Sequence, residues 1–178
     1  NINDQIWIIG SNASESSIGA SSYLEYFHGL VTGRPPKINL KDEKYCQSFL
    51  RDAILKNYIA SSHDVSDGGL AVALSECCIL SSKGANIQLE EKNTRKDNIL
   101  FSEGGSRIIF SLRKKEELNF LKFLKINSKN FGQSIYVKNI GYVSEDNLDI
   151  TIQDKTLCNL RVDELTEKFN NSISRCFK

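Results

Sequence analysis

Ser61-Ser62-His63-Asp64-Val65-Ser66-Asp67-Gly68-Gly69-Leu70 packs a histidine, two carboxylates, hydroxyls and two glycines ahead of an apolar run. These residue types can hold a metal and a phosphate together. A carboxylate at a strand end, Asp64 here, is a hard oxygen ligand of the kind Mg²⁺ takes beside nucleotide phosphates. A hydroxyl at a helix N-terminus, Ser66, stands where backbone amides and the helix dipole favour an anion. Ser66 or Asp67 is the expected N-cap, and Gly68-Gly69 would let a ligand approach the backbone closely. The same residues also suit a turn without a ligand, with Asp-Gly as the turn, Ser/Asp as the cap and His63 as a satisfied core polar group.

Positioning such a turn requires a strand before it and a helix after it. Tyr58-Ile59-Ala60 and Asp64-Val65 read as extended, while Leu70 to Leu80 is rich in small and unbranched helix formers. A second turn of interest, Glu103-Gly104-Gly105-Ser106-Arg107, lies between the apolar segments Ile99-Leu100-Phe101 and Ile108 to Leu112. Paired glycines can point several amides at one anion, and Arg107 could pair with a carboxylate or phosphate. Without a ligand, this is a structural turn with an exposed arginine.

The remaining elements follow from periodicity. Gln5 to Gly10 is a short apolar strand, Ser11 to Ser17 a polar loop, and Tyr23 to His28 a short helix. Gly29 to Pro36 breaks regular structure. A helix from about Lys41 to Asn57 follows, with Phe49, Leu50, Ala53 and Ile54 as its apolar side. Ala85 to Glu90 alternates as a half-buried strand, and Glu91 to Asn98 is a charged loop. Lys114 to Leu124 reads as a helix burying Leu118, Phe120, Leu121 and Leu124. Ser134 to Val143 and Leu148 to Ile152 are strand-like, and Glu145-Asp146-Asn147 between them predicts a β-hairpin. A last helix, Val162 to Phe177, carries Leu165, Phe169 and Ile173.

Composition limits the function classes. The 178 residues are 40% hydrophobic, enough for one good core, and 23 basic against 22 acidic residues leave a net charge of +1 without a block of like charge. This argues against a nucleic-acid surface. No apolar run approaches the roughly 18 residues of a membrane span, and the N-terminus lacks a signal-peptide pattern. Cys46, Cys77, Cys78, Cys158 and Cys176 form no CxxC spacing, as expected of reduced thiols in a cytoplasmic protein. The chain has no methionine, not even at position 1, so it is expected to be a piece of a longer polypeptide and its site to be split with another piece. The P-loop, Gly-x-Gly-x-x-Gly, Gly-x-Ser-x-Gly and His-Glu-x-x-His motifs are absent. With only His28 and His63, His-rich zinc catalysis is not expected.

The two turns, in this order, resemble the phosphoribosylformylglycinamidine synthase family within the aminoimidazole ribonucleotide synthetase superfamily. His63 to Leu70, Ala71, Leu74 and Glu76 supply every element of a His-Asp-x-Ser-Asp-Gly-Gly-Leu signature followed by Ala-x-x-Leu-x-Glu. Gly19-Ala20-Ser21-Ser22-Tyr23-Leu24 is similar to the family's Gly-Gly-Ser-x-Tyr-Leu. At the second turn the family commonly has Glu-Ser/Asp-Gln-Gly-Arg, so this chain keeps Glu103 and Arg107 and lacks the glutamine. The similarity covers about residues 5 to 112 by motif and the remainder by element order.

The resemblance implies residues 1–178 as a single C-terminal domain from the second half of the synthase. The order of strands and helices predicts an α+β fold, a mixed β-sheet covered by helices, and the resemblance implies that these are arranged in layers. The family reaction is ATP-dependent conversion of formylglycinamide ribonucleotide to formylglycinamidine ribonucleotide, a C–N ligation in purine biosynthesis. Its partners are the preceding domains of the same synthase and a glutaminase domain or subunit that supplies ammonia. By resemblance, Asp64 is the candidate Mg²⁺ ligand, Ser66, His63, Gly68 and Gly69 the candidate nucleotide contacts, and Glu103 and Arg107 a candidate ligand turn. The fragment is not expected to be active alone. The alternative is a structural or interaction domain with a degenerate pseudo-site. Selenophosphate synthetase and hydrogenase-maturation relatives would need different motif residues.

Overall fold

The apolar run near the start of the chain forms strand β1 (Gln5–Ser11), buried on both faces. Alternate side chains of a strand point to opposite faces. Ile6 and Ile8 therefore enter one core and Trp7 and Ile9 another, which places β1 in the interior of a sheet sandwiched by helices. Of the 178 residues, the computed structural model describes 1–11, 18–90, 94–130 and 135–175. The polar loop after Ser11, the start of the charged loop, Ser134 and Cys176 lie outside the described residues.

After β1 come α1 (Ser22–His28), α2 (Leu40–Leu55), β2 (Ile59–Asp64), α3 (Gly69–Ser81), β3 (Gly84–Leu89), α4 (Lys96–Phe101) and β4 (Arg107–Leu112). Then follow α5 (Glu117–Asn127), β5 (Ile135–Ser144), β6 (Asn147–Ile152), β7 (Lys155–Arg161) and α6 (Val162–Arg175). The described strands form one seven-stranded sheet in the order β2-β4-β1-β5-β3-β6-β7. Neighbours are antiparallel except β3 and β6, which run parallel, so the sheet is mixed. Helices α3, α4 and α6 enclose the core containing Ile8, Leu74, Ile87 and Ile150, and α2 and α5 cover the other face around Trp7, Phe49, Phe110 and Phe120. This is the expected α+β architecture.

Four expectations need correction. Strands β5 and β6 do not form a hairpin, because β3 lies between them and pairs with both. The short turn between them moves the chain across the width of β3. The hairpin is β6–β7, closed by Gln153 and Asp154 at φ +49° and +61°, a backbone that matches strand twist but usually selects Asn or Gly. On α5, Phe120 and Phe123 are the buried residues, while Leu118 is 74% exposed and Leu121 faces solvent. The aromatic side chains turn inward because Trp7, Phe49 and Phe110 form an aromatic seat for them. On α2, Phe49, Leu50 and Ala53 are buried as expected and Ile54 is not. Finally, part of the expected charged loop is helical, since α4 begins at Lys96.

Candidate functional site

β2 is an edge strand, paired only with β4, and it carries Ser61, Ser62, His63 and Asp64 to its C-terminal end. There the Val65 N–H donates to the Arg107 carbonyl at 2.9 Å, so the chain leaves the sheet directly beside the second turn. The two motifs, some 40 residues apart in sequence, are brought together by sheet pairing. Gly10, opposite Arg107 on β1, allows this approach: at φ +139°, a Cβ there would lie 1.8 Å from the Ser106 carbonyl oxygen.

The first turn is held from outside. Gly68, not Ser66 or Asp67, is the N-cap of α3, in the left-handed region, and no side chain of the turn caps the helix. The Gly68 N–H donates to Glu103 Oε1 at 2.6 Å, and the Gly69 N–H to the Ser66 carbonyl at 3.0 Å. Both glycine amides are thus engaged within the protein. The need for glycine at 69 is steric: at φ +72°, an added Cβ would lie 2.7 Å from the backbone of Phe101. Gly69 thus fits α3 against α4, while a Cβ on Gly68 would meet the Val72 side chain of α3 itself.

His63 is tied inward by both ring nitrogens. Nδ1 lies 2.6 Å from the Asp64 carbonyl, and because a carbonyl oxygen only accepts, Nδ1 is the donor. Nε2 lies 3.4 Å from Glu76 Oε2 on α3, which gives the glutamate of the signature a partner. Asp64 differs: its carboxylate is 77% exposed and meets His63 Nδ1 only at 3.9 Å. Ser66 is also exposed, and among the described residues its hydroxyl takes no hydrogen-bond partner. The turn presents Asp64, Ser66 and Asp67 outward and holds His63, Gly68 and Gly69 through internal contacts.

In the second turn, the arginine is not exposed. Arg107 is 2% exposed, and its Nη1 donates to the Ser102 hydroxyl at 3.1 Å and carbonyl at 3.3 Å. A buried guanidinium that binds the backbone of its own loop fixes the loop's shape. Ser106 occupies the place of the family's glycine at φ +60°, and its hydroxyl donates to Glu43 Oε2 at 2.5 Å. Glu103 Oε1 accepts a second N–H, from Ser22 at the start of α1, at 2.9 Å. Sequence patterns marked Glu103 as a candidate ligand but carried no signal for Ser22, Ser102 or Glu43, whose contacts are all tertiary or across the loop.

Among the described residues no cluster of three or more His, Cys, Asp or Glu side chains is placed to hold a metal. Asp64 can offer one carboxylate arm, which suits a cation that keeps several waters and binds phosphate oxygens. A cavity of about 280 Å³ borders His63 between β2, β4 and α3, with Ser62, Cys77 and Phe110 in its wall. It includes no residue of either turn between 64 and 69 or 103 and 107, so it is not the candidate site.

The comparisons place the fold and the family. The chain is 85% identical over 177 residues to the phosphoribosylformylglycinamidine synthase subunit PurL of Prochlorococcus marinus subsp. pastoris, covering 99% of the chain and 23% of that relative. The chain therefore spans under a quarter of that relative's length. Its fold superposes on Thermotoga maritima PurL complexed with FGAR at a TM-score of 0.73 and 16% identity, covering 93% of this chain and 28% of that one. For PurL complexed with ATP from the same organism the TM-score is 0.66 at 16% identity, covering 93% and 26%. The family model described as "AIR synthase related protein, C-terminal domain" matches residues 1–152, and the chain belongs to that family.

Proposed function

We propose that this domain contributes a nucleotide–Mg²⁺ half-site to a synthase that converts formylglycinamide ribonucleotide to formylglycinamidine ribonucleotide in purine biosynthesis. One observation carries the reading. Asp64 and Ser66 face outward at the end of β2, while His63, Gly68, Gly69, Glu103 and Arg107 are held by internal contacts. Relatives of this chain are named for that synthase, and a solved structure with this fold holds ATP.

In this reading Asp64 supplies one oxygen to the cation and the Ser66 hydroxyl donates to a phosphate oxygen. His63 keeps the strand end in place through its bonds to the Asp64 carbonyl and Glu76. Mg²⁺, when bound, offsets the charge that builds up on phosphate during transfer. ATP phosphorylates the substrate amide oxygen, and ammonia then displaces phosphate at the same carbon. The remaining ligands come from preceding domains of the same polypeptide, so the isolated 178 residues are inactive as a C–N ligase. Ammonia comes from a glutaminase domain or subunit. The place of this reaction is the cytoplasm, in keeping with thiols that stay free among the described residues and with the lack there of any helix long and apolar enough to cross a membrane.

The test uses the full-length synthase. Asp64→Ala is expected to raise the Mg²⁺ concentration for half-maximal turnover by about tenfold, and Ser66→Ala to raise the ATP KM by a similar factor. Bound nucleotide after purification and turnover both unchanged in the two variants would overturn the roles of Asp64 and Ser66 and leave this a structural domain.

A further inference from the structure

The two turns meet at a single oxygen. Glu103 Oε1 accepts N–H groups from Gly68, which precedes α3, and from Ser22, which begins α1. The donors are 35 and 81 residues away in sequence, so this is a tertiary clamp and not a local cap. A carboxylate is a strong acceptor for backbone N–H groups, and its charge is favoured at the positive end of a helix. The clamp replaces a cap that α3 lacks, since no side chain of its own turn satisfies its first amides. Its base is rigid. Ser102 is fully buried and accepts from Arg107, and the ring of Phe101 stacks on Tyr23 of α1 with centroids 4.7 Å apart and planes 4° from parallel.

Resting on the nucleotide reading above, we propose that Glu103 is a positioning residue for the Asp64–Gly69 turn. It fixes where Asp64 and Ser66 stand by joining α1, α3 and the second turn, and it does not itself contact the ligand. A carboxylate acting this way works chiefly through its acceptor oxygen, its charge at the helix start adding the smaller part. A carboxylate acting on a cation needs both.

That difference sets the experiment, made in the full-length synthase with Glu103→Ala, Glu103→Gln and Ser66→Ala. Glu103→Ala is expected to raise the ATP KM about tenfold while kcat stays within about threefold. Glu103→Gln, whose amide oxygen accepts the same two N–H groups, is expected to remain within about threefold of the parent in both. Amide hydrogen exchange in segments 18–28 and 64–72 should accelerate together in Glu103→Ala, a paired local response that a general loss of stability does not give. If Glu103→Ala does not fold, Glu103→Asp, one methylene shorter, takes its place with the same expectations. A Gln variant as impaired as Ala overturns the positioning role, as does exchange that changes in only one segment. An unchanged KM in Glu103→Ala with a raised KM in Ser66→Ala overturns the positioning role alone. An unchanged KM in both overturns the nucleotide reading as well.

Discussion

His63 Nε2 stands 3.4 Å from Glu76 Oε2, joining the end of edge strand β2 to the middle of helix α3. The contact is attractive only when His63 is protonated, and both side chains are partly exposed, so it is screened and modest. With His63 protonated, Glu76→Ala is expected to lower the unfolding free energy by about 0.5–1 kcal/mol, with the loss shrinking as salt is raised. Urea midpoints at low and high ionic strength check this. Equal midpoints for parent and variant at low salt would remove the tie from the account.

Local chemistry made this part of the site legible. His63, Asp64, Ser66 and the glycines sit within ten residues, and strand-turn-helix periodicity frames them. What the sequence hid is tertiary. Nothing near Glu103 indicates that it reaches Gly68 and Ser22, and nothing near Arg107 indicates burial, since Glu-Gly-Gly-Ser-Arg is also the composition of an exposed turn. The fold shows the same division. Helices α2 and α6 follow from their apolar periods and α3 from its helix-forming residues, but β7 carries no such signal, because as an edge strand it leaves most of its residues exposed. The false β5–β6 hairpin arose because a short connection usually joins paired neighbours, and here β3 enters between them from earlier in the chain.

Ala20 adopts φ +58° where the family pattern has glycine. A Cβ in the left-handed region costs about 1–2 kcal/mol, partly offset because glycine has more freedom to lose on folding. Ala20→Gly is therefore expected to stabilise the domain by roughly 0.5–1 kcal/mol, a rise in Tm of about 2 °C. A calorimetric scan of the two proteins decides it, and a fall in Tm would show that the backbone at residue 20 is not under strain.

Burial pushes the Cys46 and Cys78 thiols up to about 12 and that of Cys77 up to about 11, with nearby acids or neighbouring thiols adding to the effect. These groups favour the neutral form in the folded state. Their contribution is fully present below the unfolded thiol value of 9.0 and is lost as pH rises from there toward 12. Unfolding free energy is thus expected to fall above pH 9. Cys78→Ala should begin lower, through its cavity, but decline less steeply between pH 9 and 10.5. Parallel declines would mean that Cys78 ionises equally easily in both states.

The register of α5 offers the sharpest contrast between pattern and packing. Phe120 is fully buried, with Trp7, Phe49 and Phe110 ring centroids 5.3, 6.1 and 5.7 Å away in edge-to-face arrangements. Removing its ring deletes apolar contacts and leaves a cavity bounded by the sheet, which cannot collapse around it. Phe120→Ala is expected to cost about 3–5 kcal/mol, and Phe120→Leu about 1–1.5 kcal/mol because it refills most of the volume. Leu118, two residues earlier and 74% exposed, should tolerate Ala within about 0.5 kcal/mol. Chemical denaturation of the three variants measures all of these, and a Leu118→Ala loss comparable to Phe120→Ala would return the buried face of α5 to the leucine stripe.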